Sequence, residues 1–171
     1  MPLYDLPKAA PAPLRLLQLF VNTADRENGR EWLPDQAALD AWIAEHGLAG
    51  PARLAEALAL REALRDLLRA NNGSPRSPVA VTTVNDAAAA LAVGLDTEAS
   101  VRISAEDPLG SIVAVAVTAM LDGTWPRLKA CRNCEWSFYD YSKNRSASWC
   151  SMQICGNRLK TRAYRSRRAA H

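Results

Sequence analysis

The chain has 171 residues, 49% of them hydrophobic, which suffices for one ordinary domain or for a domain with a small metal-held appendage and excludes a disordered chain. Its net charge of +3 is unevenly spread, because residues 1–126 carry 10 Lys/Arg and 16 Asp/Glu whereas residues 127–171 carry 11 and 2. The basic C-terminal part predicts a polyanion as partner. The alternative is a solvated tail, or one that docks on the protein's own acidic body.

Membrane insertion and secretion are both disfavoured. The longest apolar stretch, residues 112–121, is about half of the roughly 20 residues that a membrane span needs. The N-terminus contains Pro2, Pro7, Pro11 and Pro13 and lacks the basic and apolar regions of a signal peptide. We therefore expect a cytoplasmic protein without a membrane partner, whose thiols stay reduced.

Apolar residues at helical spacing predict a mainly α-helical body over residues 1–126 with a minor β element. Proline, aspartate and threonine mark the helix starts, while glycine and asparagine mark the ends. The five expected helices cover residues 13–22, 35–46, 51–70, 82–93 and 107–121. A strand is expected over residues 99–104, where apolar and polar residues alternate, and we place its partner around Leu95 or Val79–Val81.

Catalytic motifs are absent from the sequence of the body, so we expect a protein that is not an enzyme. The sequence has no glycine-rich phosphate loop and neither the G-x-S-x-G nor the H-E-x-x-H motif. Asn22 and Thr23, at the end of the first helix, could line a ligand pocket or simply satisfy the helix terminus. Arg61 and Arg65 share a face of the third helix and could bind an anion, or form ion pairs on its outer surface.

All four cysteines, Cys131, Cys134, Cys150 and Cys155, lie near the C-terminal end. Their spacing, C-x2-C and then C-x4-C after 15 residues, is typical of two pairs that bind one zinc ion through four thiolates. Four thiolates leave no open coordination position, so the zinc is expected to be structural. A thioredoxin-like redox pair would need a βαβ context, and haem attachment would need histidine where Glu135 stands.

The residues around the cysteines predict a zinc-ribbon-like or treble-clef-like module, made of a hairpin and a basic helix. Residues 136–141 form one expected arm of the hairpin and residues 142–147 its polar turn. After Cys150 the sequence becomes helical, which places Cys155 in the first turns of the basic helix. The aromatic residues could stack on unpaired bases, or form the small core that such a module needs. They are Trp136, Tyr139, Tyr141 and Trp149.

Two parts of the sequence resemble known families. Residues 131–134 (Cys-Arg-Asn-Cys) and 149–158 (Trp-Cys-Ser-Met-Gln-Ile-Cys-Gly-Asn-Arg) closely resemble the CGNR zinc-finger family. Residues 20–23 (Phe-Val-Asn-Thr) and 60–65 (Leu-Arg-Glu-Ala-Leu-Arg) are similar to the helical ABATE domain that precedes this finger in a family of stress-induced transcriptional regulators. The resemblance implies an ABATE-like domain over residues 1–126, a CGNR-type finger over the remainder, and a DNA-binding bacterial regulator.

The basic C-terminal segment supplies the residues that we expect to bind nucleic acid. On a helix, Arg158, Arg162 and Arg165 fall on one stripe, from which arginine can bind phosphate or guanine. Arg158 could instead pair with an acidic residue of the zinc module, and Asn157 could hydrogen-bond within it. The full predicted set is Lys143, Arg145, Arg158, Lys160, Arg162, Arg165, Arg167 and Arg168.

The function expected from these features is that of a zinc-containing, DNA-binding transcriptional regulator, with DNA favoured over RNA as the target. Its N-terminal domain would sense an unidentified small-molecule effector or form a homodimer. The alternative is an RNA-binding or protein-interaction zinc module without a regulatory ligand.

Overall fold

The structure of the chain, a computed structural model, describes residues 8–157. Five α-helices make up most of the regular structure in this range, and three of them start at a residue whose side chain accepts a hydrogen bond from a backbone N–H of the first turn. These caps are Asp35, Ser77 and Asp107. The helices are α1 (Leu14–Val21), α2 (Gln36–Glu45), α3 (Leu54–Ala70), α4 (Pro78–Ala88) and α5 (Pro108–Leu121).

Three two-stranded antiparallel hairpins complete the regular structure of the described residues. The first joins β1 (Ala24–Asp25) to β2 (Arg30–Glu31), and the second joins β3 (Ala92–Leu95) to β4 (Val101–Ser104). The third joins β5 (Leu128–Ala130) to β6 (Ser137–Tyr139), with Leu128 opposite Tyr139 and Ala130 opposite Ser137. A turn of 3-10 helix, Trp125–Arg127, leads from the helices into β5.

The hydrophobic core lies where α1, α3, α4 and α5 pack against one another. The second helix joins it through Trp42, whose ring centroid lies 5.4 Å from that of Phe20. Leu128 of β5 is fully buried in the same core as Leu17 and Leu64. The strand that carries the chain toward the four cysteines is therefore part of the helical body's core.

The fourth helix starts earlier than the sequence predicted. It begins at Pro78 after the Ser77 cap, not at Thr82 or Thr83, and it ends at Ala88. Serine followed by proline is the stronger start signal, because the serine oxygen satisfies a free N–H and proline has the backbone angle that a first turn needs.

Ala92 and Val93, which we assigned to the end of the fourth helix, belong to β3 instead. The strand predicted over residues 99–104 is confirmed as β4, and its partner includes Leu95, one of the two expected places. The other, Val79–Val81, lies inside α4.

The hairpin of the cysteine region also differs from the prediction. The expected arm over residues 136–141 contains β6, but β6 pairs back onto β5 rather than forward onto residues that follow the 142–147 turn. The reason is local: the tight turn that contains Cys131 and Cys134 already reverses the chain, and the backbone N–H of Cys131 donates to the carbonyl of Trp136 at 2.9 Å.

Candidate metal centre

The four cysteine sulfurs form one compact, buried cluster. All lie within 4.8 Å of one another, and three pairs, Cys134–Cys150, Cys150–Cys155 and Cys134–Cys155, are each separated by 3.6 Å. A disulfide needs about 2.05 Å, so these are free thiols. Four sulfurs about 2.3 Å from a central zinc ion would be about 3.8 Å apart in a tetrahedron, which is close to the observed separations. The cluster has the donors and the size for one zinc ion.

The first two ligands lie on the turn between β5 and β6. The backbone N–H of Glu135 donates to the carbonyl of Cys131 at 3.0 Å, which closes the turn. Glu135 has a φ of +60°, a left-handed conformation that costs a residue with a side chain about 1 kcal/mol. Arg65 supports this conformation, since its Nη1 donates to the carbonyl of Glu135 at 3.0 Å. The body thus helps to hold the cysteine turn closed.

Of the second two ligands, Cys150 lies just before a short helical turn, Met152–Gly156, and Cys155 lies within it; the turn has π-type hydrogen bonding. Ser151 caps it, because its Oγ accepts from the backbone N–H of Ile154 at 3.3 Å. Cys155 lies within this turn, as predicted, and its N–H donates to the carbonyl of Ser151 at 3.0 Å. Asn133 lies across from the turn, with its Nδ2 3.6 Å from Cys155 Sγ, where it can donate to a thiolate.

The sulfurs alter one another's acidity. Hydrogen bonds from Cys134 and Cys150 lower the pKa of Cys131, whereas the same contacts with Cys131 raise the pKa of Cys134 and of Cys150. Without a cation the cluster therefore ionises only in part, because neighbouring thiolates repel one another and burial disfavours charge. A divalent cation removes this conflict and releases the remaining thiol protons. Since four thiolates fill a tetrahedral shell, zinc in this site would be structural rather than catalytic.

Side-chain amides of the helical body hold the cysteine region in place. At one edge of β6, Asn22 bonds both backbone groups of Ser137, and Gln18 Nε2 donates to the Ser137 carbonyl at 3.0 Å. At β5, Asn71 Nδ2 donates to the carbonyl of Leu128 at 2.9 Å and Asn72 Nδ2 donates to that of Ala130 at 2.8 Å. These contacts were not predicted. In the sequence, an amide side chain that binds a distant backbone group looks the same as one that faces water.

The proposed ligand-pocket residues lie together, but they bond one another and the backbone. Asn22 and Thr23 are fully buried at the end of α1, and Thr23 Oγ1 donates to the carbonyl of Phe20 at 2.8 Å. Arg61 Nη1 reaches Thr23 Oγ1 at 3.2 Å, and Arg65 Nη2 donates to the carbonyl of Val21 at 2.6 Å. The bond of Thr23 matches the helix-terminus alternative, whereas the Asn22 side chain bonds Ser137 of β6. Ligand binding by these residues stays a prediction.

The two arginines are not on the outer face of α3, which corrects our expectation. Arg61 is 4% exposed and Arg65 is 2% exposed. Glu31 and Glu62 pair with Arg61 at 2.7 and 2.9 Å, and Glu62 also pairs with Arg65 at 3.0 Å. Burial would raise the pKa of both glutamates, but the guanidinium groups outweigh it and hold their pKa values below the usual range. A periodicity rule assigns arginine to solvent and cannot foresee such partners.

A buried ion pair supports the loop that follows β6. Lys129 Nζ lies 2.8 Å from Asp140 Oδ2, with side chains 5% and 0% exposed. Asp140 also accepts from the backbone N–H groups of Ser142 and Ala147, both at 2.9 Å. Burial alone would raise the pKa of Asp140, but the bonds from Lys129 and Ser142 lower it to about 2. This pair is not recognisable in the sequence, because each residue stands between apolar or aromatic neighbours, as a surface residue of a strand would.

The loop held by this pair carries the two described members of the predicted nucleic-acid-binding set. Lys143 and Arg145 are both exposed, and neither side chain has an ion pair within residues 8–157. The other six predicted residues, Arg158, Lys160, Arg162, Arg165, Arg167 and Arg168, lie outside the described residues.

The aromatic residues divide between core and surface. Tyr139 is 8% exposed and packs in the main core, while Trp136 and Trp149 pack partly buried against the cysteines. Trp136 also meets Trp32 of the body edge to face, with ring centroids 6.3 Å apart. Tyr141 is 62% exposed. Most of these rings are therefore packing residues, and Tyr141 alone of the four presents a largely open face.

A mainly helical body joined to a four-cysteine site with a hairpin and a short helical turn defines a zinc-finger protein. Residues 14–123 match the ABATE family, described as "Putative stress-induced transcription regulator", and residues 127–168 match the CGNR zinc finger. The chain belongs to the ABATE family and carries a CGNR zinc finger after that domain, which confirms the resemblance seen in the sequence. Neither family is described as an enzyme.

A search of curated proteins finds no match to the chain. Among residues 8–157, none of the helices combines the length and the hydropathy needed to cross a bilayer.

Proposed function

We propose that this protein is a DNA-binding transcriptional regulator, in which zinc fixes the start and direction of a basic DNA-contacting segment. The observation that carries the proposal is the position of the last zinc ligand. Cys155 lies in a capped helical turn, and the strongly basic sequence starts three residues later at Arg158. A metal held by both cysteine pairs would anchor that segment to β5 and β6, and through them to the body.

The charge distribution supports DNA as the partner. Residues 127–171 carry a net charge of +9 and residues 1–126 a net charge of −6, from the Lys/Arg and Asp/Glu counts of the sequence. A polyanion is attracted to the first part and repelled by the second, so it would approach the molecule from the finger side. Lys143 and Arg145 are exposed in a loop that the buried Lys129–Asp140 pair supports, and they would add phosphate contacts.

Within this proposal the chain divides into an ABATE-like domain over residues 1–126 and a DNA-contacting finger over residues 127–171. The family matches, which end at 123 and begin at 127, support that division. The N-terminal domain would sense an effector or form the dimer that many regulators need to bind two half-sites.

A second candidate, an RNA-binding module, has one observation in its favour. Tyr141 is 62% exposed beside the cationic loop, and base stacking on such a ring favours single strands. However, its hydroxyl donates to the carbonyl of Ala9 at 2.7 Å and its ring meets that of Tyr139 at 4.8 Å. These contacts hold the ring against the protein, so we favour duplex DNA.

The deciding experiment measures binding of the zinc-loaded full chain to genomic duplex fragments, single-stranded DNA and RNA between 50 and 200 mM salt. If about six phosphates are neutralised, affinity should fall by roughly three decades over this range. Selected duplex fragments should bind more tightly than single strands of the same sequence. Equal binding to duplex and single strands, without sequence preference, would overturn the proposal.

Charge reversal tests whether the predicted basic residues form the nucleic-acid-binding surface. Replacing Arg158, Arg162 and Arg165 together with glutamate should abolish binding. The matched control reverses three exposed arginines of the body and changes the net charge equally, so it should retain most binding. Its members are Arg15, Arg53 and Arg102. If both triple variants lose binding to the same extent, only net charge matters and the assigned surface is wrong.

A further inference from the structure

A cavity of about 430 Å³ opens between α3, α4 and α5, beside the turn that leads into β5. Its volume falls within the range of small-molecule sites. The cavity is distinct from the buried polar cluster around Asn22 and Arg65, where the sequence had suggested a pocket. None of the four predicted pocket residues, Asn22, Thr23, Arg61 and Arg65, lines it.

The cavity's floor is apolar and comes from all three helices. Leu67 of α3, Val84 of α4 and Trp125 are 8%, 6% and 8% exposed, and the half-buried Val117 of α5 also lines the cavity. On α4 the lining residues are spaced three and four apart, so they form one continuous stripe. Met120, 42% exposed, stands at the rim, where its flexible side chain can adapt to an apolar occupant. The floor thus suits a flat hydrocarbon or aromatic group.

The polar groups at the edge of the cavity are a cation and two amides. Arg76 precedes the cap of α4, is exposed, and forms no hydrogen bond or ion pair within residues 8–157. Asn85 lies about two turns into α4 and is likewise exposed, and Asn71, which follows α3, also lines the cavity. Among residues 8–157, none of those that line this cavity is acidic. An unpaired guanidinium at the mouth of an apolar pocket is suited to a carboxylate or sulfonate.

We propose that this cavity binds an apolar organic acid, with the ring or chain on the Leu67–Val84–Trp125 floor and the acid group on Arg76. The cavity at the other end of the same helices provides a contrast. It has a volume of about 420 Å³ but is lined by Glu56, Asp86 and Asp107, whose charges repel an anion. An amphipathic anion should therefore bind more tightly in the cavity lined by Arg76.

The position of the cavity connects it with the finger. Asn71, which lines it, donates through Nδ2 to the carbonyls of Trp125 and Leu128, both at 2.9 Å. Trp125 is itself part of the floor, and Leu128 begins β5. An occupant would thus touch the residues that fix the path of the chain from body to finger. That this makes the acid an effector rests on the proposed regulatory function, whereas its binding does not.

The test uses two fluorescent probes with the zinc-loaded full chain. The anion 8-anilino-1-naphthalenesulfonate should bind, and the neutral N-phenyl-1-naphthylamine, which has the same rings without the sulfonate, should bind more weakly. Replacing Arg76→Gln should weaken the anion roughly tenfold and leave the neutral probe unchanged. The control Arg102→Gln removes an exposed arginine that does not line the cavity, and it should change neither affinity.

A second test fills the cavity with a larger side chain and does not depend on charge. Ala88 lines it half-buried, whereas Ala89 is exposed and does not. Ala88→Phe should abolish binding of both probes and Ala89→Phe should not, with zinc content and helical circular dichroism unchanged in each. Anion binding that survives both Ala88→Phe and Arg76→Gln would overturn the proposal, as would equal affinity for the two probes. Because no nucleic acid is present, neither result depends on DNA binding.

Discussion

The side chain of Asn22 makes both backbone hydrogen bonds of Ser137. Its Oδ1 accepts from the Ser137 N–H at 2.7 Å, and its Nδ2 donates to the Ser137 carbonyl at 3.0 Å. Asn22 follows the last residue of α1 and Ser137 is the first residue of β6, so the amide acts like one more backbone unit beside the finger's strand. The finger is thus bonded to the body at a buried position, not tethered by a loose linker.

Replacing Asn22→Ala should destabilise body and finger together. The substitution leaves the buried N–H of Ser137 without its partner, and we expect a loss of about 2 kcal/mol or more in the free energy of unfolding. Urea denaturation followed by circular dichroism measures it. Asn28→Ala is the control, because Asn28 is exposed and bonds Asp25 of its own loop, so the loss there should stay below about 0.5 kcal/mol. Equal effects of the two substitutions would contradict the role assigned to Asn22.

Removing zinc should lower the stability of the helices as well as the finger. Leu128 and Ala130 of β5 belong to the body's core, and the turn that follows them holds two of the ligands. Structural zinc contributes several kcal/mol to folding in small modules. Thermal unfolding recorded at the helical signal should therefore shift down by several degrees when a chelator is added.

The control for this measurement is the variant Cys131→Ser/Cys134→Ser. It should bind no zinc by mass spectrometry and should not respond to the chelator. A helical transition that stays in place while zinc leaves the wild-type protein would show that the finger folds independently of the body.

The zinc site could be predicted because it depends on spacing alone. The turn between Cys131 and Cys134 brings two sulfurs together whatever surrounds it, and Ser151 caps the turn that carries Cys155 through a purely local bond. The helix starts at Asp35 and Asp107 were predictable for the same reason. Features that depend on residues near in sequence leave a readable pattern.

Features that depend on distant partners could not be predicted. The burial of Arg65 depends on carbonyls of Val21 and Ala24, more than 40 residues away, and on its ion pair with Glu62. Likewise, Lys129 is buried because its ammonium pairs with Asp140, the residue that follows β6. Sequence rules place charged residues in solvent unless a partner is known, and the fold alone supplies these partners.

Replacing Asp140→Asn should disorder the loop that carries Lys143 and Arg145. The amide would turn a donor, or a much weaker acceptor, toward Lys129 and Ala147, and the lysine would remain as an uncompensated buried charge. Breaking such a pair costs about 3–5 kcal/mol. Asp86→Asn is the control, since Asp86 is exposed on α4 and has no ion pair within residues 8–157. Backbone amide exchange in residues 141–147 should accelerate in the first variant only; unchanged exchange there would refute the supporting role.

Replacing Glu62→Gln tests the buried arginine network and its dependence on pH. Glu62 pairs with Arg61 and Arg65, which are 4% and 2% exposed, so its loss should cost about 2–4 kcal/mol at pH 7. Although burial raises its pKa, the arginines hold the pKa of Glu62 below the usual 4.5. As pH falls, the unfolded chain takes up the proton first. The stabilisation is therefore complete above about pH 5 and declines below it.

The measurement compares the free energies of unfolding of wild type and Glu62→Gln between pH 8 and pH 3.5, by urea denaturation. The difference between the two free energies of unfolding should be constant from pH 8 to about pH 5 and should become smaller below pH 5. Acid also protonates zinc-binding thiolates, but this occurs in both proteins and cancels from the difference. Glu56→Gln on the same helix is the matched control: its pair with Arg53 has side chains 56% and 82% exposed, so it should cost about 0–1 kcal/mol. A gap for Glu62→Gln that widens in acid would mean that the carboxylate destabilises the fold, contrary to the paired geometry.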